Sequence, residues 1–243
     1  MTHSRLLLIL ALWPVAAAHA TTVSFTSADS GTQHTLYNSL SFGGGAVTAT
    51  GYFWDQSGAP PVPANWATAA VRFSSAGDYA NGFGTGVGVT NTTTNSQVQS
   101  ALQEFILLDF GGGTTTVSSL TLYIETTSSA SKYFTYAWLP SAPTAGSGTP
   151  DPTGGSPFYT WDTGASYPSP SPAFSSAGDY TFNFSAYGSG RYLLLGSTDL
   201  ATFGSDFRVN SVTFTKVPEA ASTLALLGAA VGSLGLWARR RRR

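Results

Sequence analysis

The acidic side chains are the first candidates for chemistry, because two carboxyl groups that flank a glycosidic bond can hydrolyse it. Residues 21–217 hold eleven acidic and five basic residues, which gives this segment a net charge near −6. Glu104 and Asp109 share one strand-like run, but a separation of five positions puts them on opposite faces of a strand. No acidic pair is marked by its spacing, so a glycoside hydrolase ranks third among the functions considered, and we expect no catalytic residue.

The chain has few residues that could support thiol or imidazole chemistry. The 243 residues include no cysteine, which excludes thiol catalysis, thiolate metal sites and disulfides. His34 is the one histidine within residues 21–217, and a catalytic triad would depend on it alone. Asp78 and Asp179 are the calcium candidates, since calcium takes oxygen ligands from loops. No acidic loop has EF-hand spacing, however, so we expect neither a bound metal nor another cofactor.

The tryptophans offer a different chemistry, because flat aromatic rings on a β-sheet surface can stack on sugar rings. Trp54, Trp66 and Trp161 border Pro- or Gly-rich segments and are the predicted stacking residues. The alternative is that the aromatic residues form the core, which suits Trp138, since it is in phase with Phe134. The net charge near −6 disfavours nucleic acid and anionic lipid as partners.

The elements that would position these residues are strands. Residues 21–217 are rich in Thr, Ser, Gly, Phe and Tyr, a composition typical of strands and turns. Apolar residues alternate with polar ones in Leu120–Ile124 and in Tyr180–Ala186. Phe207 and Val209 have the opposite parity to Val212 and Phe214, and a bulge near residues 210–211 would restore one face. Further strands are predicted at Val23–Thr26, Ala46–Phe53, Thr68–Phe73, Phe105–Phe110, Phe134–Trp138 and Arg191–Gly196.

These strands predict an all-β fold, a single jelly-roll-like β-sandwich domain over residues 21–216. The continuous apolar runs 106–108 and 193–195 indicate central strands. Residues 140–173 contain eight prolines and cannot lie inside a sheet, so we expect a surface excursion in which Phe158–Trp161 docks back. A linker between two domains is the alternative. Only residues 96–104 suit a helix, and a short one.

One segment occurs twice: Phe73–Tyr79 is identical to Phe174–Tyr180. A functional interpretation is a duplicated binding loop that presents Asp78 and Asp179. The structural interpretation, which we favour, is a repeated strand–turn–strand in which Gly forms the turn and Asp caps it.

The first 20 residues are typical of a secretory signal peptide. Arg5 is followed by the uncharged run Leu6–Val15, and Ala18 and Ala20 occupy the small positions of a peptidase site. A buried first helix is the alternative. If the chain is exported by this signal peptide, the secretion machinery is one of its partners.

The last 27 residues, 217–243, resemble a second targeting segment. Ala220–Ala238 has no charge over 19 residues, about the length that crosses a bilayer core as a helix. Arg239, Arg240, Arg241, Arg242 and Arg243 follow it and should stay in the cytoplasm as a membrane stop. A core helix with a basic tail and a nucleic-acid-binding tail are the alternatives.

Val217, Pro218 and Glu219 precede this apolar span. A Pro-Glu pair, a hydrophobic span and a terminal arginine cluster in this order resemble the PEP-CTERM sorting signal. The resemblance implies handling by an exosortase, a membrane transpeptidase with a catalytic cysteine that removes the tail. Ala220 stands where that family usually has a second proline, which leaves the cleavage position open.

The body resembles small exosortase-dependent surface proteins in its order of segments, among them 86–90, 104–110 and 191–196. That resemblance implies no enzymatic activity. The predicted function is an exported bacterial surface or extracellular-matrix protein with a structural or adhesive role, held transiently in the inner membrane. The alternative is a carbohydrate-binding module for exopolysaccharide.

Overall fold

A computed structural model describes eleven stretches of the chain: residues 19–33, 35–55, 64–74, 86–90, 104–124, 133–152, 159–162, 178–196, 198–199, 202–203 and 207–217. All regular secondary structure in these stretches is β-strand, which confirms the predicted all-β class. The strands are β1 (Ala20–Ser24), β2 (Ser39–Phe42), β3 (Val47–Asp55), β4 (Asn65–Ser74), β5 (Gly86–Thr90), β6 (Glu104–Asp109), β7 (Thr114–Ile124), β8 (Tyr133–Leu139), β9 (Tyr159–Asp162), β10 (Gly178–Asn183), β11 (Tyr192–Gly196), β12 (Thr198–Asp199), β13 (Thr202–Phe203) and β14 (Phe207–Val217).

Twelve of these strands form one antiparallel sheet, in which ten follow the order β10-β7-β14-β5-β4-β3-β6-β11-β8-β9. The other two lie beside this path, where β1 pairs with β14 and β2 pairs with β3, and β12 and β13 form a separate two-stranded sheet. β14 therefore pairs with three strands, β1, β5 and β7.

The sheet is curled so that its two ends approach each other. The ring of Phe134 in β8 lies 5.1 Å from that of Phe182 in β10 and 6.1 Å from that of Phe207 in β14. Farther along, the ring of Phe110 lies 4.9 Å from that of Phe214. Because β8 and β10 stand near opposite ends of the strand order, these contacts require the concave face to close on itself.

The concave face holds the main core, which draws side chains from nearly every strand. Val71, Ile106, Leu120, Leu193 and Phe207 are examples, each fully buried or almost so. Burial of this much apolar surface is the main favourable contribution to folding in a chain without disulfides.

The continuous apolar runs lie in central strands, as predicted. β6 pairs with β3 and β11, and β11 pairs with β6 and β8. Ile106 and Leu193 face the main core, whereas Leu107 and Leu194 face a second cluster on the convex side. Both faces of these strands are buried, and alternation of apolar with polar residues is therefore lost.

The predicted bulge is confirmed. The register of β14 with β7 shifts between Val209 and Ser211, which leaves Asn210 as the additional residue. Phe207, Val209, Val212 and Phe214 consequently all point into the main core. Hydrophobic periodicity does not predict β2 and β5, which the structure shows as strands. Within the predicted helix 96–104, Glu104 begins β6, and the other residues lie outside the described part of the chain.

Candidate functional site: an aromatic seam at the sheet ends

The structure corrects the stacking role predicted for Trp54 and Trp66. Trp66 is 0% exposed and Trp54 is 4% exposed. Their rings lie 5.1 Å apart in the second cluster, where Phe105 also contacts Trp66 at 5.0 Å. Neither ring presents a face to solvent, because both side chains are packed in the second cluster, and a covering segment closes over Trp66.

That covering segment comprises residues 140–152, named here the strap, and it continues from β8. Its Ser147 carbonyl accepts a hydrogen bond from the Trp66 backbone amide at 2.9 Å, and its Gly146 amide donates to the Trp66 carbonyl at 2.7 Å. The Trp66 indole Nε1 donates to the Pro150 carbonyl at 2.8 Å. The strap therefore covers the second cluster, and its Ala142 side chain packs against that cluster.

Trp138 and Trp161 have different positions. Trp138 is half-buried against the main core, as predicted, and its Nε1 donates to the Tyr187 carbonyl at 2.9 Å. Trp161 lies in β9, whose backbone pairs with β8 opposite Phe134, and its side chain is outside the described set. The segment 159–162 thus returns to the sheet as expected, while Phe158 also falls outside the description.

An exposed aromatic group does exist where the ends of the curled sheet meet. We name Tyr136, Tyr159, Phe184 and Tyr187 the aromatic seam. Tyr159 is 54% exposed and stacks on Tyr136, with ring centroids 5.5 Å apart and planes inclined by 25°. Tyr136 is itself buried and is contacted edge-on by Phe184 at 5.0 Å and Tyr187 at 5.9 Å.

The seam holds one ring in place and leaves much of it in solvent, which is the arrangement that stacking on a sugar requires. The tyrosines as a group could stack on sugar rings, but the sequence does not single out Tyr159, because one tyrosine beside a proline-rich segment carries no distinctive pattern. Its pairing with Tyr136 across β8 and β9 becomes visible only in the register.

The carboxylates of β6 stand at opposite ends of the strand. Glu104 is 1% exposed, whereas Asp109 is partly exposed and paired with Arg191. A strand rises about 3.3 Å per residue, so the two are roughly 16 Å apart along it. That separation exceeds the spacing of about 5–10 Å at which carboxyl groups flank a glycosidic bond.

The ion pair of Asp109 and Arg191 is bidentate. Arg191 Nε donates to Asp109 Oδ1 at 2.9 Å and Nη2 donates to Oδ2 at 3.0 Å. The Gly111 amide adds a third hydrogen bond to Oδ1 at 2.8 Å. Partial burial alone would raise the pKa of Asp109, but Arg191, the Gly111 amide and the nearby Lys216 together hold that pKa below its ordinary value.

We expect this pair to stabilise the fold modestly and in a pH-dependent way. A lowered pKa in the folded state means that the contribution is present at neutral pH and is lost as the pH falls through that pKa. Asp109→Asn should reduce the free energy of unfolding by about 0.5–1 kcal/mol near pH 7, because both side chains are partly exposed. Urea unfolding from about pH 7 to pH 3 should show the difference shrinking with acid.

A double-mutant cycle provides the control for this pair. Arg191→Gln alone and together with Asp109→Asn separates their coupling from other losses. A difference from wild type that is independent of pH would contradict the assigned role of the carboxylate.

The structure describes one of the two calcium candidates. Asp179 is the second residue of β10 and accepts a hydrogen bond from the Asn210 side-chain amide at 2.9 Å. Asp78 lies outside the described part of the chain, as does His34. Within the stretches described, no group of three His, Cys, Asp or Glu residues is placed to hold a metal ion.

Of the predicted sorting residues, Val217 lies in the described part of the chain. Val217 is the last residue of β14, is 52% exposed and pairs with Thr114. Pro218, Glu219 and residues 239–243, like residues 1–18, fall outside the described ranges. In the described part of the chain, no helix has the length and apolar character needed to cross a membrane.

Comparison of the chain with family models, with curated proteins and with solved structures gives no match.

Proposed function

We propose that this chain is an exported bacterial protein of the cell surface or extracellular matrix, with a structural or adhesive role, sorted by an exosortase. The observation that carries the proposal is the ordered C-terminal series of Pro218-Glu219, the uncharged span Ala220–Ala238 and five arginines. An apolar helix with a cytoplasmic arginine stop holds the exported body at the inner membrane until the tail is removed. Removal of residues 218–243 tests the proposal, since the body should then escape into the medium.

The body suits a structural role outside the cell. It buries a large core without any disulfide, and its described strands form one extensive antiparallel sheet. We further propose that the two facing halves of the curled sheet constitute a jelly-roll-like β-sandwich. The close ring contacts of Phe134 with Phe182 and Phe207 support this view, since they join strands from the two halves.

The second candidate function is carbohydrate binding, and Tyr159 is the observation that favours it. Its ring is solvent-exposed yet pre-oriented by Tyr136, which reduces the entropy lost when a sugar stacks on it. The net charge near −6 of residues 21–217 favours an uncharged polysaccharide over an acidic one.

If the seam binds sugar, Tyr159→Ala should weaken binding by roughly two- to tenfold, the range of one aromatic contact. Affinity electrophoresis in gels that contain dextran, xyloglucan or the producer's own exopolysaccharide measures the loss. Tyr159→Phe is the matched control and should retain most of the binding, because it keeps the ring. Equal retardation of the wild type, Tyr159→Ala and a non-binding protein in all three gels would reject this function.

A further inference from the structure

The two ends of the described body lie side by side. β1 and β14 are antiparallel neighbours, with Ala20 opposite Thr215 and Thr21 opposite Phe214. The beginning of the first strand is therefore adjacent to the end of the last strand. In the sequence these are the points where the predicted signal peptide and the sorting segment join the body.

Little chain separates the end of β14 from the apolar span. Lys216 and Val217 pair with Thr115 and Thr114 of β7, so the sheet continues to Val217. Only Pro218 and Glu219 stand between Val217 and Ala220. Even a fully extended chain covers no more than about 11 Å over these three steps. A body anchored by the span must therefore sit close to the bilayer surface.

The strand register identifies which other residues share this end of the sheet. Asp109 pairs with Thr48 and with Tyr192, and Thr115 forms a bridge with Gly190. The Lys216 ammonium donates to the Ala46 carbonyl at 3.4 Å, which joins the β2–β3 turn to β14. The short turns 43–46 and 110–113 and the segment 188–191 therefore lie at the same end of the sheet as Val217.

We propose that this end, named the membrane-facing pole, lies against the bilayer while the chain is anchored. It comprises residues 43–46, 110–114 and 188–191 with the paired ends at Ala20 and Val217. The proposal rests on the sorting function proposed above, because that function supplies the anchor. Side-by-side attachment also suits a chain whose two hydrophobic segments enter the same membrane from the same side.

The opposite end of the sheet then points away from the membrane. β3, β5, β7 and β9 run toward that side, and β4, β6, β8 and β10 begin there, as the pairs Phe53–Glu104, Ile124–Gly178 and Tyr133–Asp162 show. β4 runs the other way and ends at Ser74. Asp179 pairs with Tyr123, which pairs with Arg208, nine residues before Val217 in β14. This places Asp179 about 30 Å from the membrane-facing pole.

The absence of cysteine permits a direct test with single labels on the full chain. Thr114→Cys and Asp179→Cys are both at exposed positions, one at each end of the sheet. Each variant, labelled with an environment-sensitive fluorophore, is reconstituted in phosphatidylcholine vesicles with and without spin-labelled headgroups. Quenching by the headgroup label should be several-fold greater at residue 114 than at residue 179. Ser189→Cys, also exposed and at the membrane-facing pole, should behave like Thr114→Cys.

Vesicle flotation separates the two possible failures, with a chain of residues 21–217, which lacks both apolar segments, as the unanchored control. If the full chain floats but residues 114, 189 and 179 are quenched equally, or residue 179 most strongly, the membrane-facing pole is wrong and the anchor remains. If the full chain does not float, the anchor itself is wrong, and this inference fails with it.

Discussion

Trp66→Ala should reduce the free energy of unfolding by about 3–5 kcal/mol, the range measured for large aromatic residues removed from a core. The ring is fully buried and contacts Trp54, Phe105 and Tyr52 at centroid distances of 5.1, 5.0 and 6.2 Å. Its removal also leaves the Pro150 carbonyl without its indole donor, which adds to the loss.

The strap makes this substitution unusually damaging for a residue beside a proline-rich segment. Trp66 fixes the strap through one side-chain and two backbone hydrogen bonds. Without the ring, the second cluster loses the side chain over which the strap closes. For a body of this size the melting temperature should fall by roughly 6–20 °C.

Trp66→Phe is the matched control, because it retains an aromatic ring and lacks only the indole donor and some volume. It should cost less than half as much as Trp66→Ala. Tyr159→Ala removes a partly exposed ring that stacks on Tyr136 and should cost about 0.5–1.5 kcal/mol, well below the loss for Trp66→Ala. Denaturant unfolding followed by circular dichroism measures all three. A loss below about 1 kcal/mol for Trp66→Ala would show that the strap and cluster are not packed as described.

The strands were predictable where side chains alternate, because one buried face imposes a period of two on the sequence. The parity change between Val209 and Val212 even located the bulge at Asn210. β5 escaped prediction from periodicity, since Gly86 and Gly88 carry no side chain that could mark its outer face. Its place between β4 and β14 follows from pairing with distant strands.

The tryptophans show why the candidate site was harder to predict. Residues next to Pro- and Gly-rich segments are often exposed, so the sequence predicts a surface position for Trp54 and Trp66. In the structure the strap itself covers Trp66, through partners about 80 residues away in sequence. Such a contact leaves no local pattern. The same holds for Arg191, whose carboxylate partner Asp109 lies 82 positions earlier.

The burial of three charged side chains could not be predicted from the sequence either. Arg72, Glu104 and Arg208 are at most 8% exposed, although charged side chains are seldom buried. Arg208 and Tyr123 are paired residues of β14 and β7, and both side chains are buried on the convex side. The alternation of apolar and polar residues correctly places the apolar neighbours in the core. For the polar residues between them, however, it predicts exposure to solvent.

Loss of the C-terminal segment should have the largest effect on the fate of the protein. A chain that ends at Val217 keeps β14 complete, including its pair with Thr114, and should therefore fold normally. It lacks the apolar span and the arginine stop, so nothing in the proposed account would hold it at the envelope. A double variant, Pro218→Ala with Glu219→Ala, keeps the helix and removes only the recognition pair. It should accumulate unprocessed in the inner membrane.

Pulse–chase labelling with cell fractionation, in a bacterium that makes an exosortase, tests the central claim most directly. The account predicts that the wild-type chain loses its tail and stays with the envelope or matrix, while the chain ending at Val217 appears in the medium. If the chain ending at Val217 is retained to the same extent as wild type, and the wild-type chain keeps residues 218–243, the claim of C-terminal sorting is contradicted.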